Sequence, residues 1–487
     1  MNRPDILLVA PELPASSWLN ASVAGITPPL GIAYIAAYLR RAGFAPVILD
    51  NCVKLMSPEA FARYAAELDP VAVGFTSSTT NISTARALAS AFKKLKPSTP
   101  VLLGGHHASA LAADCAAMPE IDFAIFGEGE QTCAELLSAI KSGGPVDAVN
   151  GIAYKHGSAV RVTHPRAPIA DIDSIPFPAY DLLPMESYHP SLSRRLSSGN
   201  MGAIITSRGC PYRCAFCANA VFGAALRQRS VENVLEEVRL LVRDYDIREL
   251  IIWDDTFTVN TARAIAIAEG IRSIRPGLLW SCYSRVDHAS DELYEAFYRC
   301  GCRELLFGAE SADDAILEGI HKDIRAAQTA HAVELCRRHG LSSFCSLIIG
   351  LPGETAATAK KTVEFFIEKD PDYAAFCVLV PLPGSELFRR AVSDGLINPA
   401  TASWNDYVKL FSSRLPPLSM CGLSREELVE TQKNAFRRFF FRPSYIWGRF
   451  AKCLSWRTPG KIFRYLRGLA TILRHQAHNF AGDMRRR

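Results

Sequence analysis

The chain has 487 residues, of which 49% are hydrophobic and 21% charged, with a net charge of +5. That balance excludes a disordered or low-complexity protein and supplies apolar surface for more than one core. The charge is uneven: residues 431–487 hold fourteen Lys and Arg against one acid, Asp483, so residues 1–430 sum to −8. No apolar run reaches the roughly 18 residues a membrane-spanning helix needs. The N-terminus has Asp5 ahead of a short apolar run and no small-residue cleavage site, so it does not read as a signal peptide. A cytoplasmic address is expected.

The first 150 residues alternate strand-like runs at 6–9, 47–49, 71–75, 101–103 and 123–126 with helical patterns. Ile32, Ile35, Ala36 and Leu39 recur at helical spacing and Gly43 follows as a stop; residues 82–94 form a second helix. This rhythm predicts an α/β domain, a doubly wound parallel sheet over residues 1–150. Residues 151–198 break it with Pro165, Pro168, Pro176, Pro178, Pro184 and Pro190. They read as a Pro-rich linker, packed rather than loose, because Ile172, Ile175, Phe177 and Leu182 are apolar. A second alternation follows over 199–400, with strands near 203–206, 250–253, 279–283, 304–307, 344–349 and 376–380. Six such units predict a partial (β/α)6 barrel, whose chemistry sits at the C-terminal strand ends. Residues 401–487 read as a helical, basic and aromatic C-terminal region. A cap with a solvated basic face and peripheral contact with an anionic membrane are both open to such a segment. No nucleic-acid module accompanies it.

Eleven of the fourteen cysteines are scattered singly and read as small buried hydrophobes. The exception follows the first barrel strand: Cys210-Pro211-Tyr212-Arg213-Cys214-Ala215-Phe216-Cys217. Three thiolates on one loop can hold three irons of a [4Fe–4S] cluster, which would leave the fourth without a cysteine. The alternative is a zinc site completed by a distant histidine, although zinc knuckles more often space their cysteines in two separate pairs.

This loop resembles the radical S-adenosylmethionine (SAM) superfamily, whose hallmark is Cys-x3-Cys-x-aromatic-Cys. The resemblance spans roughly residues 200–385, with Phe216 at the aromatic position. It implies that Cys210, Cys214 and Cys217 ligate the cluster and that SAM chelates the open iron. A 5′-deoxyadenosyl radical would then form for chemistry at unactivated C–H bonds. Other strand ends fit. Asp254 and Asp255 suit the SAM amino group and ribose, Arg285 the carboxylate, and Glu310 a ribose hydroxyl. Gly350, in Gly350-Leu351-Pro352-Gly353-Glu354, resembles the family's adenine-contacting turn.

In the front domain the strand ends carry Thr76-Ser77-Ser78-Thr79-Thr80, Gly104-Gly105-His106-His107 and Gly127-Glu128-Gly129-Glu130. A doubly wound sheet binds ligands there, and small residues let a broad ligand approach the backbone. Ahead of a radical SAM motif, these segments resemble the cobalamin-binding domain of cobalamin-dependent radical SAM enzymes. The resemblance makes Thr76, Ser77, Gly104, Gly105, His106, Gly127, Glu128 and Gly129 candidate cobalamin contacts. The lower-ligand motif Asp-x-His-x-x-Gly is absent, so histidine ligation of cobalt is not expected.

The implied activity is methylation of an unactivated carbon with SAM and methylcobalamin. Cyclisation, rearrangement or hydroxylation with the same cofactors is the alternative, and a non-enzymatic iron–sulfur or zinc scaffold is a third. The resemblance implies a small-molecule or lipid-like substrate and an external electron donor such as flavodoxin or ferredoxin. No substrate-facing acid or base is assigned. The two sets of strand ends are expected to face one another, because transfer needs near-contact geometry.

Overall fold

The structure, a computed structural model, describes residues 3–12, 25–191, 194–407 and 415–448. The front strands are β1 (Ile6–Ala10), β2 (Gly25–Ile26), β3 (Pro46–Asp50), β4 (Ala72–Thr76), β5 (Val101–Gly104), β6 (Phe123–Ile125), β7 (Ile152–His156) and β8 (Ala159–Val162). Seven of them form one sheet in the order β3-β1-β4-β5-β6-β7-β8. Strand β1 is buried along its whole length, as a strand covered by helices on both faces must be. The pairs from β3 to β6 are parallel, and the chain reverses direction in the sheet around β1, which sets the switch point beside β4.

The boundary expected at 150 falls inside this sheet. β7 and β8 add an antiparallel hairpin to its edge. Residues 152–162 carry no proline and pair where the sequence reading placed linker. The linker proper is packed, as expected. Ile172, Ile175, Leu183 and Met185 join the barrel core. The Tyr180 hydroxyl lies 2.8 Å from the Ala203 carbonyl and 2.7 Å from Glu237, and Tyr188 donates to Asp50 of β3 at 2.9 Å. A two-residue β9 (His189–Pro190) pairs with β2.

The second sheet contains β10 (Asn200–Ile204), with a small ribbon of β11 (Ser207–Arg208) and β12 (Arg227–Gln228) beside it. It continues through β13 (Ile247–Ile252), β14 (Leu279–Ser284), β15 (Cys302–Glu310), β16 (Ser342–Ile349) and β17 (Tyr373–Val378). All neighbours are parallel and follow chain order, which gives the expected six-stranded open barrel. The helix Val231–Tyr245 shows how sequence builds the outer layer. Ser230 caps it by accepting from the Asn233 N–H, and Val234, Leu235, Val238 and Leu241 form its buried face.

The segment after the barrel serves two cores. Phe388, Ala391, Ile397, Trp404, Tyr407 and Leu418 pack against the front domain. The helix Arg425–Phe440 buries Leu428, Val429, Ala435 and Phe439, and its Gln432 donates to the β17 carbonyl of Phe376 at 2.7 Å. This part of the basic tail therefore caps the barrel, while residues 449–487 lie outside the described residues. Among the described residues no helix is long and apolar enough to cross a membrane.

Candidate active site between the two sheets

The three cysteines sit on the loop that follows β11. Cys210 and Cys214 are half-buried, Cys217 is exposed, and all three are free. Two backbone bonds fix the loop: Ala215 N–H donates to Ile320 O, and Leu387 N–H donates to Ala215 O. Between the first two cysteines, Tyr212 lies under the guanidinium of Arg285, 3.6 Å from the ring centre. The Tyr212 hydroxyl meets His288 Nε2 at 2.8 Å, and His288 Nδ1 meets Thr258 at 3.0 Å. Burial raises the thiol pKa of Cys210 and Cys214, opposed at Cys214 by Lys322 and Arg285. Among the described residues no three His, Cys, Asp or Glu side chains converge as ligands of one metal ion. Three thiols spread along a single loop suit a larger polynuclear group.

The two acids after β13 have different roles. Asp254 is buried and its carboxylate is saturated by Thr206 N and Oγ1 at 2.6 Å each and Ser207 N and Oγ at 3.2 and 2.6 Å. It ties the end of β13 to the start of the cysteine loop, and its hydrogen bonds within the protein set it apart from Asp255 as the SAM-facing acid. Asp255 is exposed, forms no hydrogen bond or ion pair among the described residues, and acts electrostatically on Cys210 and Cys217. Its carboxylate pKa is raised, first by the loss of hydration that the surrounding protein imposes on its exposed position and second by Asp254.

Arg285 is also committed. It makes two parallel bonds to Asp287 at 2.9 and 3.0 Å and donates to Lys322 O at 3.0 Å. It clamps the cysteine loop through Tyr212, a positioning contact within the protein. Glu310, at φ +59° on a register shift of β15, is buried and paired with Lys322 at 3.0 Å. Lys322 lies 5.6 Å from the Phe216 ring centre. Nothing in the sequence around Lys322 signals this pairing, and no sequence argument selected it. Gly350 packs against the helix cap instead of standing open: a Cβ there would lie 3.0 Å from Leu428. Its N–H donates to the buried carboxylate of Glu354.

Burial raises the Glu354 pKa to about 7 from an ordinary 4.5. The folded state therefore favours the protonated acid, so its contribution is present below the ordinary value and is lost as pH rises through about 7. Over that window the loss is about 3 kcal/mol as an upper bound. Glu354→Gln is expected to gain stability relative to wild type between pH 5 and pH 8 in denaturant titrations. A difference that does not change with pH would refute the assignment.

In the front domain the strand ends form a shelf. Ser77 N–H and Oγ both donate to Gly104 O at 2.7 Å, and His107 N–H donates to Ser77 O at 3.1 Å. Gly105 sits at φ +93°, where an added Cβ would lie 2.5 Å from Ser77 O and 2.9 Å from Thr76 Oγ1. Gly104 and Gly127 are open, with nothing within 3.9 and 4 Å of an added Cβ, respectively. His106 is exposed beside them, and its imidazole pKa is lowered by the surrounding protein. This uncluttered backbone fits a broad flat ligand such as a corrin. His107 is buried with Nδ1 3.1 Å from Thr79, its ring edge-on to Trp404. Gly105→Ala is expected to displace the Ser77 turn and abolish corrinoid retention, read from the visible spectrum of purified protein; full retention would remove Gly105 from the site.

Glu128 and Gly129 are engaged within the protein. Glu128 accepts from Ile169 N–H at 2.8 Å and from Arg227 at 2.5 Å, while Gly129 packs on Ile35. Glu130 accepts from Arg208 at 2.5 Å, and Arg208 lies 3.6 Å from Glu128. Arg208 is held between the rings of Tyr34 and Phe222, at 5.3 and 5.1 Å. These are interdomain ion pairs. They link a residue two before Cys210 to residues just after Gly127. An added Cβ on Gly384, at the end of the barrel, would lie 3.3 Å from both Ala110 and Ala220. The segment after Gly105 and the segment after Cys217 thus meet at one point. The front sheet's carboxyl edge and the barrel mouth face each other, as expected.

A doubly wound sheet joined face to face with an open six-stranded barrel, with a three-cysteine loop at the join, is the arrangement expected of a two-cofactor radical enzyme. Comparison with known proteins agrees. The B12 binding domain family matches residues 17–137 and the Radical SAM superfamily matches residues 204–366. An uncharacterized methyltransferase of Pyrococcus horikoshii is 34% identical, over 91% of this chain and 93% of the relative. The anaerobic magnesium-protoporphyrin IX monomethyl ester cyclase of Rubrivivax gelatinosus is 29% identical, over 89% and 77%. Among solved structures, the radical SAM methyltransferase TsrM from Kitasatospora setae matches with a TM-score of 0.65 at 22% identity, covering 81% of this chain and 78% of its own. The chain belongs to the cobalamin-dependent radical SAM enzymes, whose cofactors are cobalamin, SAM and a [4Fe–4S] cluster.

Proposed function

We propose that this enzyme methylates an unactivated carbon of a small or lipid-like substrate held between the two domains. The observation that carries the reading is the ion-paired join, which sets the cysteine loop and the glycine shelf against each other. When bound, the cluster with SAM supplies one-electron chemistry able to open an unreactive C–H bond, and cobalamin supplies a transferable methyl group. In this reading Cys210, Cys214 and Cys217 hold the cluster. Phe216 packs beside them, Asp255 receives the SAM ammonium or ribose, and the Glu310–Lys322 pair borders the SAM site. Thr76, Ser77, Gly104, Gly105, His106 and Gly127 line the corrin shelf. Arg285 and Tyr212 keep the cysteine loop in place, and the join keeps bulk water from the space between.

The electron comes from an external donor such as flavodoxin or ferredoxin. Peripheral contact of the basic C-terminal end with an anionic membrane is part of the proposal, supported by the charge of residues 431–487 and by exposed Phe441, Ile446 and Trp447. Cyclisation without net methyl transfer is the second reading, favoured by the likeness to the cyclase. Product mass separates them. With deuterated methyl-SAM, a methylated product carrying the label is expected. An unlabelled product of altered ring count would favour the second reading.

A further inference from the structure

We propose that the barrel lumen receives an uncharged substrate with a flat, apolar body, seated on a row of aromatic side chains that descends from the mouth to the floor. The inference rests on the enzymatic reading above and specifies its substrate class.

Strand alternation sorts the barrel residues into two sets. Ile252, Cys282, Leu305, Phe307, Cys345, Leu347 and Phe376 pack outward into the core under the helices. The residues between them point inward: Trp253, Tyr283, Leu306, Phe344 and Tyr373. Strand register puts these side by side, with Tyr283 paired to Leu306, Leu306 to Phe344 and Phe344 to Tyr373. Trp253 follows Ile252, the partner of Cys282, and its ring lies 5.5 Å from Tyr283. Phe344 and Tyr373 lie 6.4 Å apart. Barrel strands are tilted, so a hydrogen-bonded row climbs from one end to the other. Here Tyr373 opens β17 at the floor, and Trp253 lies just past the end of β13 at the mouth.

The inward layers of a closed barrel are filled by their own side chains. In this barrel Tyr283, Phe344 and Tyr373 are half-buried and Trp253 is 37% exposed, so the row keeps an open face. The next residues toward the mouth are small: Gly308 is paired with Ser346, and Ser346 with Ala375. Below Trp253, the charges that adjoin the row are already matched among the described residues. Arg194 donates to Glu304 at 2.9 and 2.6 Å and stacks on Phe344 at 4.9 Å. Glu249 accepts from the N–H groups of Leu196 and Ser197 at 3.0 and 2.9 Å. Glu310 holds Lys322. Asp255, at the mouth, is taken up by SAM in the proposed reading; deeper in the row a charged substrate would meet no unmatched counter-charge among the described residues and would lose its hydration, whereas a flat apolar face would stack on the rings. The reacting carbon then lies at the Trp253 end, two residues from Asp255 and beside the cysteine loop.

The test is a titration of the full-length protein, reconstituted with iron and sulfide, with N-phenyl-1-naphthylamine. This uncharged aromatic probe brightens in apolar surroundings. Its anionic relative 8-anilinonaphthalene-1-sulfonate serves as the charged comparison. Saturable binding is expected, about tenfold tighter for the neutral probe. Trp253→Ala and Phe344→Ala are each expected to weaken it about tenfold, while Tyr298→Ala, on the outer surface, leaves it unchanged. Iron content and circular dichroism report whether each variant folds, and Trp253→Phe, which keeps a flat ring, is expected to restore binding. Equal binding by wild type and both alanine variants, or tighter binding of the anionic probe, would overturn the proposal. Failure of the enzymatic reading is distinct: it is a wild type that takes up no iron and cleaves no SAM, whatever its affinity for the probe.

Discussion

Cys214→Ala is expected to abolish reductive SAM cleavage and to remove nearly all cluster iron and sulfide. The same is expected of Cys210→Ala and Cys217→Ala. In the proposed reading each thiol holds one iron, and losing one of only three anchors exposes the cluster to loss. The scattered cysteines supply the control. Cys300 and Cys302 are buried in the barrel core, away from the loop, and Cys300→Ala is expected to keep its iron at the cost of about 1 kcal/mol of packing. Iron and sulfide assays after anaerobic reconstitution decide the matter. If Cys300→Ala loses iron as completely as Cys214→Ala, the ligand assignment is wrong.

The second large effect is expected at the join. Arg208 is buried against Glu130 and Glu128, with Arg227 on the same Glu128 oxygen, Oε1. Arg208→Met leaves Glu130 buried without its cation, a change that costs about 3–5 kcal/mol. The variant is expected to unfold in calorimetry as two separate transitions, front domain and barrel, where wild type shows a single coupled one. Product formation should fall much further than cluster content, because each half keeps its own core while the two faces lose their fixed separation. Arg208→Lys restores the charge but not the two-sided fork between Tyr34 and Phe222, so partial recovery is expected. An unaltered thermogram and product yield in Arg208→Met would mean the domains are held by apolar packing alone.

Much of this was legible in the chain itself. Strand ends follow from the switch between apolar runs and helical periodicity, and chemistry-bearing loops follow from strand ends. For that reason Cys210, Cys214 and Cys217 fell on one loop at the barrel mouth and Gly105 and Gly127 on one edge of the front sheet. Spacing along the chain carries such information, because a short loop keeps sequence neighbours close in space. The hairpin at 152–162 escaped notice because the Pro-rich residues that follow it masked a short edge pairing whose partner strand, β6, lies across a helix in sequence.

Side-chain partnership was decided by the tertiary structure. Asp254 and Asp255 are adjacent acids with equal claims in the sequence. The turn of the chain after β13 buries one against Thr206 and Ser207 and leaves the other facing the cysteine loop. Glu128 and Glu130 read as part of a glycine-rich ligand loop until folding brings Arg208 and Arg227 to them from 78 and 99 residues away. Glu310 finds Lys322 only because a register shift in β15 turns it through a left-handed backbone. A buried charged group must find a counter-charge or hydrogen-bond donors, and its residue type already implies that it will have a partner. Which residue pairs it depends on distances the linear order does not contain.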